Sequence, residues 1–151
     1  MKKTRYLACA FALVVVAWPL APPAASPRCY PTNRFMVQGG GLVVDTLTQL
    51  VWQQQASTTT MKWADAQTYC SSAGSGFRLP TVKELASLID LTVSSGIAMI
   101  NKTAFPGTPA TGFWTSSPSA GSSGYVWYVD FGFGYPSYNV VGSLIRVRCV
   151  R

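Results

Sequence analysis

The sequence offers few side chains that could perform acid–base or metal chemistry. It contains no histidine, so the commonest general base and metal ligand is missing, and neither a Ser-His-Asp nor a Cys-His site can be built. No spacing in the sequence indicates paired carboxylates of the glycosidase kind, clustered oxygen ligands for calcium or a Cys-x-x-Cys pair for zinc. The acidic residues are instead scattered along the chain: Asp45, Asp65, Glu84, Asp90 and Asp130. We therefore predict that the protein is not an enzyme and uses no metal or other cofactor.

Aromatic and basic residues near the C-terminus are the better candidates for a functional role. Tyr128, Tyr135 and Tyr138 are predicted on the outer face of a strand or in a Gly- and Pro-containing loop, where the core does not need them. Arg146 and Arg148 alternate with apolar residues and are predicted to point outward. Aromatic rings stack on sugar faces, and guanidinium forks match sulfate and carboxylate oxygens. These five residues are the predicted ligand-binding candidates; the alternatives are core packing for the tyrosines and a solvated face for the arginines.

The N-terminus has the three parts of a cleavable signal peptide. Lys2, Lys3 and Arg5 form a basic start, and the apolar run from Leu7 to Trp18 is too short to span a bilayer. Small residues follow it, so we predict that residues 1–25 are removed on export, with an uncleaved anchor as the alternative. The predicted location is secreted, periplasmic or at the cell surface, with no membrane span after removal.

Removal of residues 1–25 leaves a mildly basic chain. It takes away three of the 12 Lys and Arg residues and none of the five acidic residues, which gives a net charge of +4. This charge favours an acidic partner such as a sulfated or uronic polysaccharide, although it could serve solubility alone. Nucleic acid is a poor partner for an exported chain, and the chain has no continuous basic run.

Three cysteines remain after removal of the signal peptide, and export favours a disulfide. Cys29, Cys70 and Cys149 allow three different single bridges and leave one cysteine over. A helix is predicted over 61–72, with Cys70 on its apolar face, and a strand over 144–150, with Cys149 on its apolar side. Because both cysteines point inward, the pair Cys70–Cys149 is favoured, with Cys29 free or bridged between chains.

The remaining elements follow from local patterns. The helix over 61–72 is predicted to be capped by Thr60. Thr81 and Glu84 form a capping box at the start of a second helix, whose buried stripe is predicted to include Leu85. Short strands are predicted over 42–45, 50–52, 113–116 and 125–133, with a turn around Pro136. Phe105 is predicted to anchor the long irregular segment over 92–112, and four aromatic residues are predicted in the core: Trp52, Trp63, Trp127 and Phe131.

Several short segments, in order, resemble one known family. They are Asp45–Trp52, Ala66–Cys70, Arg78–Leu85, Phe105-Pro106, Phe113–Ser117, Trp127–Phe131 and Val147–Arg151. This series is similar to the C-terminal domain of the Lcl collagen-like adhesins, and it predicts a lead-in over 26–33 and a domain over 34–151. Gln49 and Phe77 replace the usual Gly and Trp, and the collagen stalk of the named adhesins is missing.

The resemblance implies a fold class and a function. The implied fold is a compact α+β domain, C-type-lectin-like or sulfatase-modifying-factor-like, with two helices, a mostly antiparallel sheet and a Cys70–Cys149 bridge. Well-understood relatives bind sulfated glycosaminoglycans and promote adhesion, which predicts an exported binding module for acidic glycan or another cell-surface component. The alternative is a structural or protein-interaction domain of the cell envelope. A relative of the formylglycine-generating enzymes would need reactive cysteines, and the two matching cysteines are predicted to be structural.

Overall fold

The structure is a computed structural model that describes residues 33–151. The predicted signal peptide, Cys29 and all of the lead-in except Asn33 lie outside the described residues. Within them, the strands and helices run in the following order: β1 (Phe35–Gln38), β2 (Leu42–Asp45), β3 (Val51–Gln53), α1 (Trp63–Ser72), α2 (Val82–Ala86), β4 (Gly112–Pro118), β5 (Tyr125–Asp130) and β6 (Tyr135–Val140).

The strands form two antiparallel sheets, in the orders β1-β2-β3 and β4-β5-β6. The predicted α+β class with two helices and one disulfide is confirmed, but the strands form two three-stranded sheets where one was predicted. The likeness to C-type lectins and sulfatase-modifying factors stays a prediction.

The segment 145–151 connects the two sheets. On one side the N–H of Gln53, in β3, donates to the carbonyl of Cys149 at 3.0 Å. On the other side the N–H of Trp114, in β4, donates to the carbonyl of Arg146 at 2.9 Å. The segment predicted as a strand over 144–150 is therefore extended, and it is covered on both sides.

Helix α1 begins two residues later than predicted. Met61 exchanges backbone hydrogen bonds with Ile145, which keeps the chain extended up to the N-cap residue Lys62. The predicted Thr60 cap is therefore wrong, and Lys62 makes no side-chain cap bond. The buried side of α1 carries Cys70, which is bonded to Cys149 with a Cα–Cα distance of 5.4 Å. The predicted disulfide is confirmed.

Helix α2 confirms the predicted capping box. The Thr81 hydroxyl accepts from the Glu84 N–H at 3.3 Å, and the Glu84 carboxylate accepts from the Thr81 N–H at 2.7 Å. Leu85 is fully buried, as predicted, and Leu88 lies beyond the helix end in the same core. The short helix is therefore fixed at its start by its cap and along its side by the core.

Strand β5 ends before its predicted limit, and β6 occupies a segment predicted as a turn. The Asp130 carboxylate accepts from the N–H groups of Gly132 and Phe133, which turns the chain out of β5. β6 then pairs with β5 as the outer strand of its sheet. Pro136 is tolerated because an edge strand has one side on which no partner needs an N–H.

The sheet β4-β5-β6 is covered unevenly. Helix α2 packs on it, and Val129 of β5 is fully buried beneath the core that α2 helps to close. Toward the start of β5 the burial falls, and Trp127, which was predicted in the core, is only partly buried. Trp63 is also partly buried, whereas Trp52 and Phe131 are fully buried as predicted, and so is the predicted anchor Phe105.

Candidate functional site

Three aromatic side chains, the exposed Tyr125 and Tyr138 and the partly buried Trp127, form a group on the sheet β4-β5-β6. Trp127 and Tyr138 lie directly opposite each other on β5 and β6. Their ring centroids are 5.8 Å apart with the planes at 83°, and the Tyr125 ring lies 5.9 Å from Tyr138 at 78°. We call Tyr125, Trp127 and Tyr138 the aromatic surface.

The register of the sheet explains why these rings meet. Side chains two residues apart on a strand share a face, so Tyr125 and Trp127 point to the same side, and Tyr138 reaches that side from the neighbouring strand. Tyr138 is 54% exposed and Tyr125 is 37% exposed. The Tyr138 ring contacts each of the other two rings edge to face, which leaves ring surface open to a ligand. Such an arrangement can bind a flat apolar surface, and its side chains include no carboxylate or thiol.

Helix α2, which packs on the sheet of the aromatic surface, carries one exposed lysine. The N–H of Val82, at the start of α2, donates to the Ser117 hydroxyl of β4 at 3.0 Å. Helix α2 also contacts β5 and β6, so its first turn lies beside the strands that carry the aromatic rings. Lys83, the next residue, is exposed. Lys83 carries no distinctive sequence signal, because an isolated lysine on a helix is ordinarily a solvated residue.

Arg148, one of the five predicted ligand-binding residues, is fully buried. Its guanidinium donates to the carbonyls of Gln53 and Gln54 at 2.8 and 2.5 Å and to the Thr108 hydroxyl at 2.6 Å. It also stacks 4.6 Å from the centroid of the Phe105 ring. The prediction that Arg148 points into solvent is therefore wrong.

The reason for this error is that both sides of segment 145–151 are covered. Strict alternation separates an inner and an outer face only where one side of a strand meets water. Burial lowers the pKa of Arg148 to about 9, so the group still carries its charge at neutral pH. Arg148 is thus a charged core residue that ties together three segments of backbone.

Arg146 and Tyr128 are also partly withdrawn from solvent. The Arg146 guanidinium donates to the carbonyl of Ser57 at 2.7 Å. Tyr128 is partly buried, and it lies so close to Gly112 that a Cβ there would come within 2.8 Å of the ring. Both side chains therefore have structural contacts in the folded domain.

Tyr135 lies apart from the aromatic surface, against Phe133, with 5.9 Å between the ring centroids. Of the five predicted candidates, only Tyr138 belongs to the aromatic surface. Tyr125 and Trp127 were missed because their alternation with Val129 favoured the core. A usable signal was that aromatic residues occur on both faces of β5, more than one buried face can take up.

Most of the acidic side chains have structural partners. Asp45 is buried and accepts from Arg34 at 2.6 Å; burial would raise its pKa, but the hydrogen bonds to its carboxylate outweigh burial and lower it. The Arg78 guanidinium, which donates two hydrogen bonds to Glu84, lowers the pKa of that carboxyl to about 2 despite partial burial. Asp130 accepts from the turn after β5. Within 33–151, no group of three or more His, Cys, Asp or Glu side chains could hold a metal ion.

A comparison with known protein families identifies the domain. Residues 41–151 match the family model described as the Lcl C-terminal domain. No curated protein matched the chain. In the part of the chain that the structure describes, no helix is long and apolar enough to cross a membrane. The family match extends over well over half of the sequence and confirms the family predicted from the ordered segments. The chain therefore belongs to the Lcl C-terminal domain family.

Proposed function

We propose that the protein is an exported, non-enzymatic binding module that holds an acidic glycan on the aromatic surface. The observation that carries this proposal is the contact between the exposed Tyr138 and the partly buried Trp127 on neighbouring strands. Sugar rings present apolar C–H faces that stack on aromatic rings, and exposed aromatic groups of this kind are uncommon unless they bind something. The expected affinity of one small domain is in the micromolar to millimolar range.

The acidic part of the ligand is assigned to Lys83, the exposed lysine of the helix that packs on the same sheet. Arg148 cannot take this role because its guanidinium is buried and already bonded. The Lys83 ammonium is a mobile, exposed charge beside the strands that carry the rings, suited to a sulfate or carboxylate. Salt should weaken this part of the binding, because exposed charges are screened over about 8–10 Å at physiological ionic strength.

The structural roles of three acidic residues support a non-enzymatic function. Asp45, Glu84 and Asp130 fix an ion pair, a helix start and a turn, respectively. A general acid or base needs a carboxylate that is free to exchange a proton with the substrate. These three carboxylates are instead held in hydrogen bonds that the fold requires.

The location outside the cytoplasm is supported by the disulfide and by the N-terminal sequence. Disulfides form and persist in oxidising compartments. Mass spectrometry of the protein recovered from the periplasm or the medium should find a chain that lacks about 25 N-terminal residues. A recovered chain that still begins at Met1 would contradict cleavage.

The binding proposal is tested by titrating heparin and a neutral oligosaccharide into the purified exported protein. We expect Tyr138→Ala and Trp127→Ala to weaken binding of the acidic glycan by about tenfold each, from lost stacking. Lys83→Gln should weaken heparin binding and flatten its dependence on salt. Tyr69→Ala is the matched control, because Tyr69 on α1 has the same 37% exposure as Tyr125.

Melting temperatures of all variants identify any loss of binding that comes from unfolding. A glycan that binds the folded Tyr138→Ala and Trp127→Ala variants as well as the wild type would remove the aromatic surface from the proposal. If no glycan on an array binds the wild type, the structural or protein-interaction role is the better description.

A further inference from the structure

Three chain segments lie side by side at the end of the domain where β5 turns into β6. The N–H of Asp90 donates to the carbonyl of Met99 at 2.9 Å, and the N–H of Met99 donates to the carbonyl of Phe131 at 2.7 Å. The N–H of Gly96 donates to the carbonyl of Gly132, also at 2.7 Å. These bonds bring the segments 90–92, 96–99 and 131–135 together.

Four large apolar or aromatic side chains emerge from these segments into solvent. Leu91 is 73% exposed, Phe133 64%, Tyr135 50% and Ile97 49%. Leu91 and Phe133 are more exposed than any other large hydrophobic residue that the structure describes. We call these four residues the apolar tip. It is separate from the aromatic surface, and the proposed glycan site does not use it.

The turns that carry the apolar tip are held rigidly. The Asp90 carboxylate accepts from the N–H and the hydroxyl of Thr92 at 3.0 and 2.6 Å, which fixes the chain around Leu91. The Asp130 carboxylate accepts from the N–H of Phe133 at 3.2 Å. Gly134, with φ +73°, lies where a Cβ would come within 2.8 Å of the Met99 sulfur. The exposed side chains therefore do not reach the core by a small rearrangement of the turns.

The chain stretches that carry the apolar tip have no charged side chain apart from the bordering Asp90 and Asp130. Residues 91–101 and 131–145 contain no Lys, Arg, Asp or Glu. Asp90 and Asp130, which border these stretches, both accept hydrogen bonds within their turns. A partner that binds here is therefore recognised by apolar contact, and an anionic surface finds no cation within the tip.

We propose that the apolar tip inserts into the interfacial layer of a lipid bilayer with uncharged headgroups. A stable protein dimer buries about 800 Å² on each partner with 20–30 residues, far more than four protruding side chains supply. A bilayer needs no complementary shape, and it takes up single Leu, Ile and Phe side chains while Tyr stays at the headgroup level. The two rigid turns present the tip as a projection, the form that suits partial insertion.

The test measures co-sedimentation of the disulfide-intact exported protein with phosphatidylcholine vesicles at low and high salt. We expect binding that changes little with salt. The double variant Leu91→Ser/Phe133→Ser should reduce the partition coefficient by about tenfold or more, because each side chain contributes through its buried apolar area. Leu47→Ser is the matched control, since Leu47 is 59% exposed in the turn between β2 and β3.

Any other result contradicts insertion of the apolar tip into an uncharged bilayer. Absence of vesicle binding by the wild type, or equal binding by the folded double variant, overturns the proposal. Binding only to vesicles that contain phosphatidylglycerol, lost at high salt, would point to lysines and arginines elsewhere. A dimer detected by light scattering that the double variant abolishes, without vesicle binding, would make the tip a contact between two copies. Heparin binding by the double variant separates failure here from failure of the glycan proposal.

Discussion

Arg148 carries a positive charge into the interior, and among residues 33–151 no carboxylate pairs with it. The charge is compensated by two backbone carbonyls, a hydroxyl and the face of Phe105. The quadrupole of an aromatic ring attracts a cation to the face of the ring. A guanidinium can stack on that face while its N–H groups donate hydrogen bonds in the guanidinium's own plane. The flat fork of arginine therefore suits this position, where the ammonium of lysine would lose both the stacking and part of the hydrogen bonding.

We predict that Arg148→Ala destabilises the domain by about 2–4 kcal/mol, because it removes a large core side chain and leaves buried carbonyls without donors. Arg146→Ala is the control and should cost only about 0.5–1.5 kcal/mol, the value of a single hydrogen bond. Urea unfolding measures both values. A stable, folded Arg148→Ala variant that loses only heparin binding would restore the ligand role that the sequence indicated.

Helix α2 is too short to be stable alone. Its five residues are far fewer than the roughly 12–15 that an isolated helix needs in water. The capping box satisfies two of its donors, and the Arg78 guanidinium holds the carboxylate that completes the box. The position of Lys83 on α2 therefore depends on Glu84.

The low pKa of Glu84 predicts a loss of stability in acid. Because this pKa is about 2 in the folded domain against an ordinary 4.5, the charged form stabilises the fold fully above 4.5. That stabilisation is lost as the pH falls from 4.5 through about 2, and we expect it to amount to about 1–2 kcal/mol for this partly exposed pair. Glu84→Gln should flatten the acid limb of a plot of unfolding free energy against pH.

The matched control is Asp65→Asn, which removes the same formal charge from the first turn of α1. It should keep the wild-type slope between pH 4.5 and 2. If Glu84→Gln keeps that slope as well, the acid lability of the domain comes from other carboxylates, with Asp45 the first to examine.

Sequence patterns predicted the elements that are determined by residues close together in the chain. The Thr81–Glu84 box needs only four residues to be recognised, and it is present as predicted. Strand β6 was missed because Pro136 favours a turn, and its role as an edge strand depends on a sheet assembled from distant residues. The burial of Arg148 likewise depends on Thr108 and Gln54, which approach from other parts of the chain. The aromatic surface could not be predicted for the same reason, since Tyr138 had no strand assigned to it.

At the scale of the whole molecule, the disulfide and segment 145–151 act on the same part of the fold. Cys149 lies within the segment that bonds to both sheets, and Cys70 attaches α1 to it across 79 residues of sequence. Both cysteines are fully buried. The bridge therefore restrains the unfolded chain and fixes α1 to the connection between the sheets.

We predict that the double variant Cys70→Ala/Cys149→Ala loses about 4 kcal/mol, the chain-entropy value for a loop of this length. Guanidinium unfolding of the purified, disulfide-bonded protein measures the loss. Cys29→Ser is the control: it should leave stability unchanged, and peptide mapping without reductant should still find Cys70 joined to Cys149. A Cys29→Ser variant as unstable as the double variant would show that the lead-in contributes to the folded domain.

Segment 145–151 also sets the order in which the domain can be assembled during synthesis. The ribosome makes this segment after every residue with which it pairs, and Trp52 waits 98 residues for its bridge to Val150. Segment 145–151 therefore cannot join the two sheets until it has itself been made. Under the proposed export, a chain that stays unfolded until residue 151 has been made can enter a translocation channel that accepts only extended polypeptide.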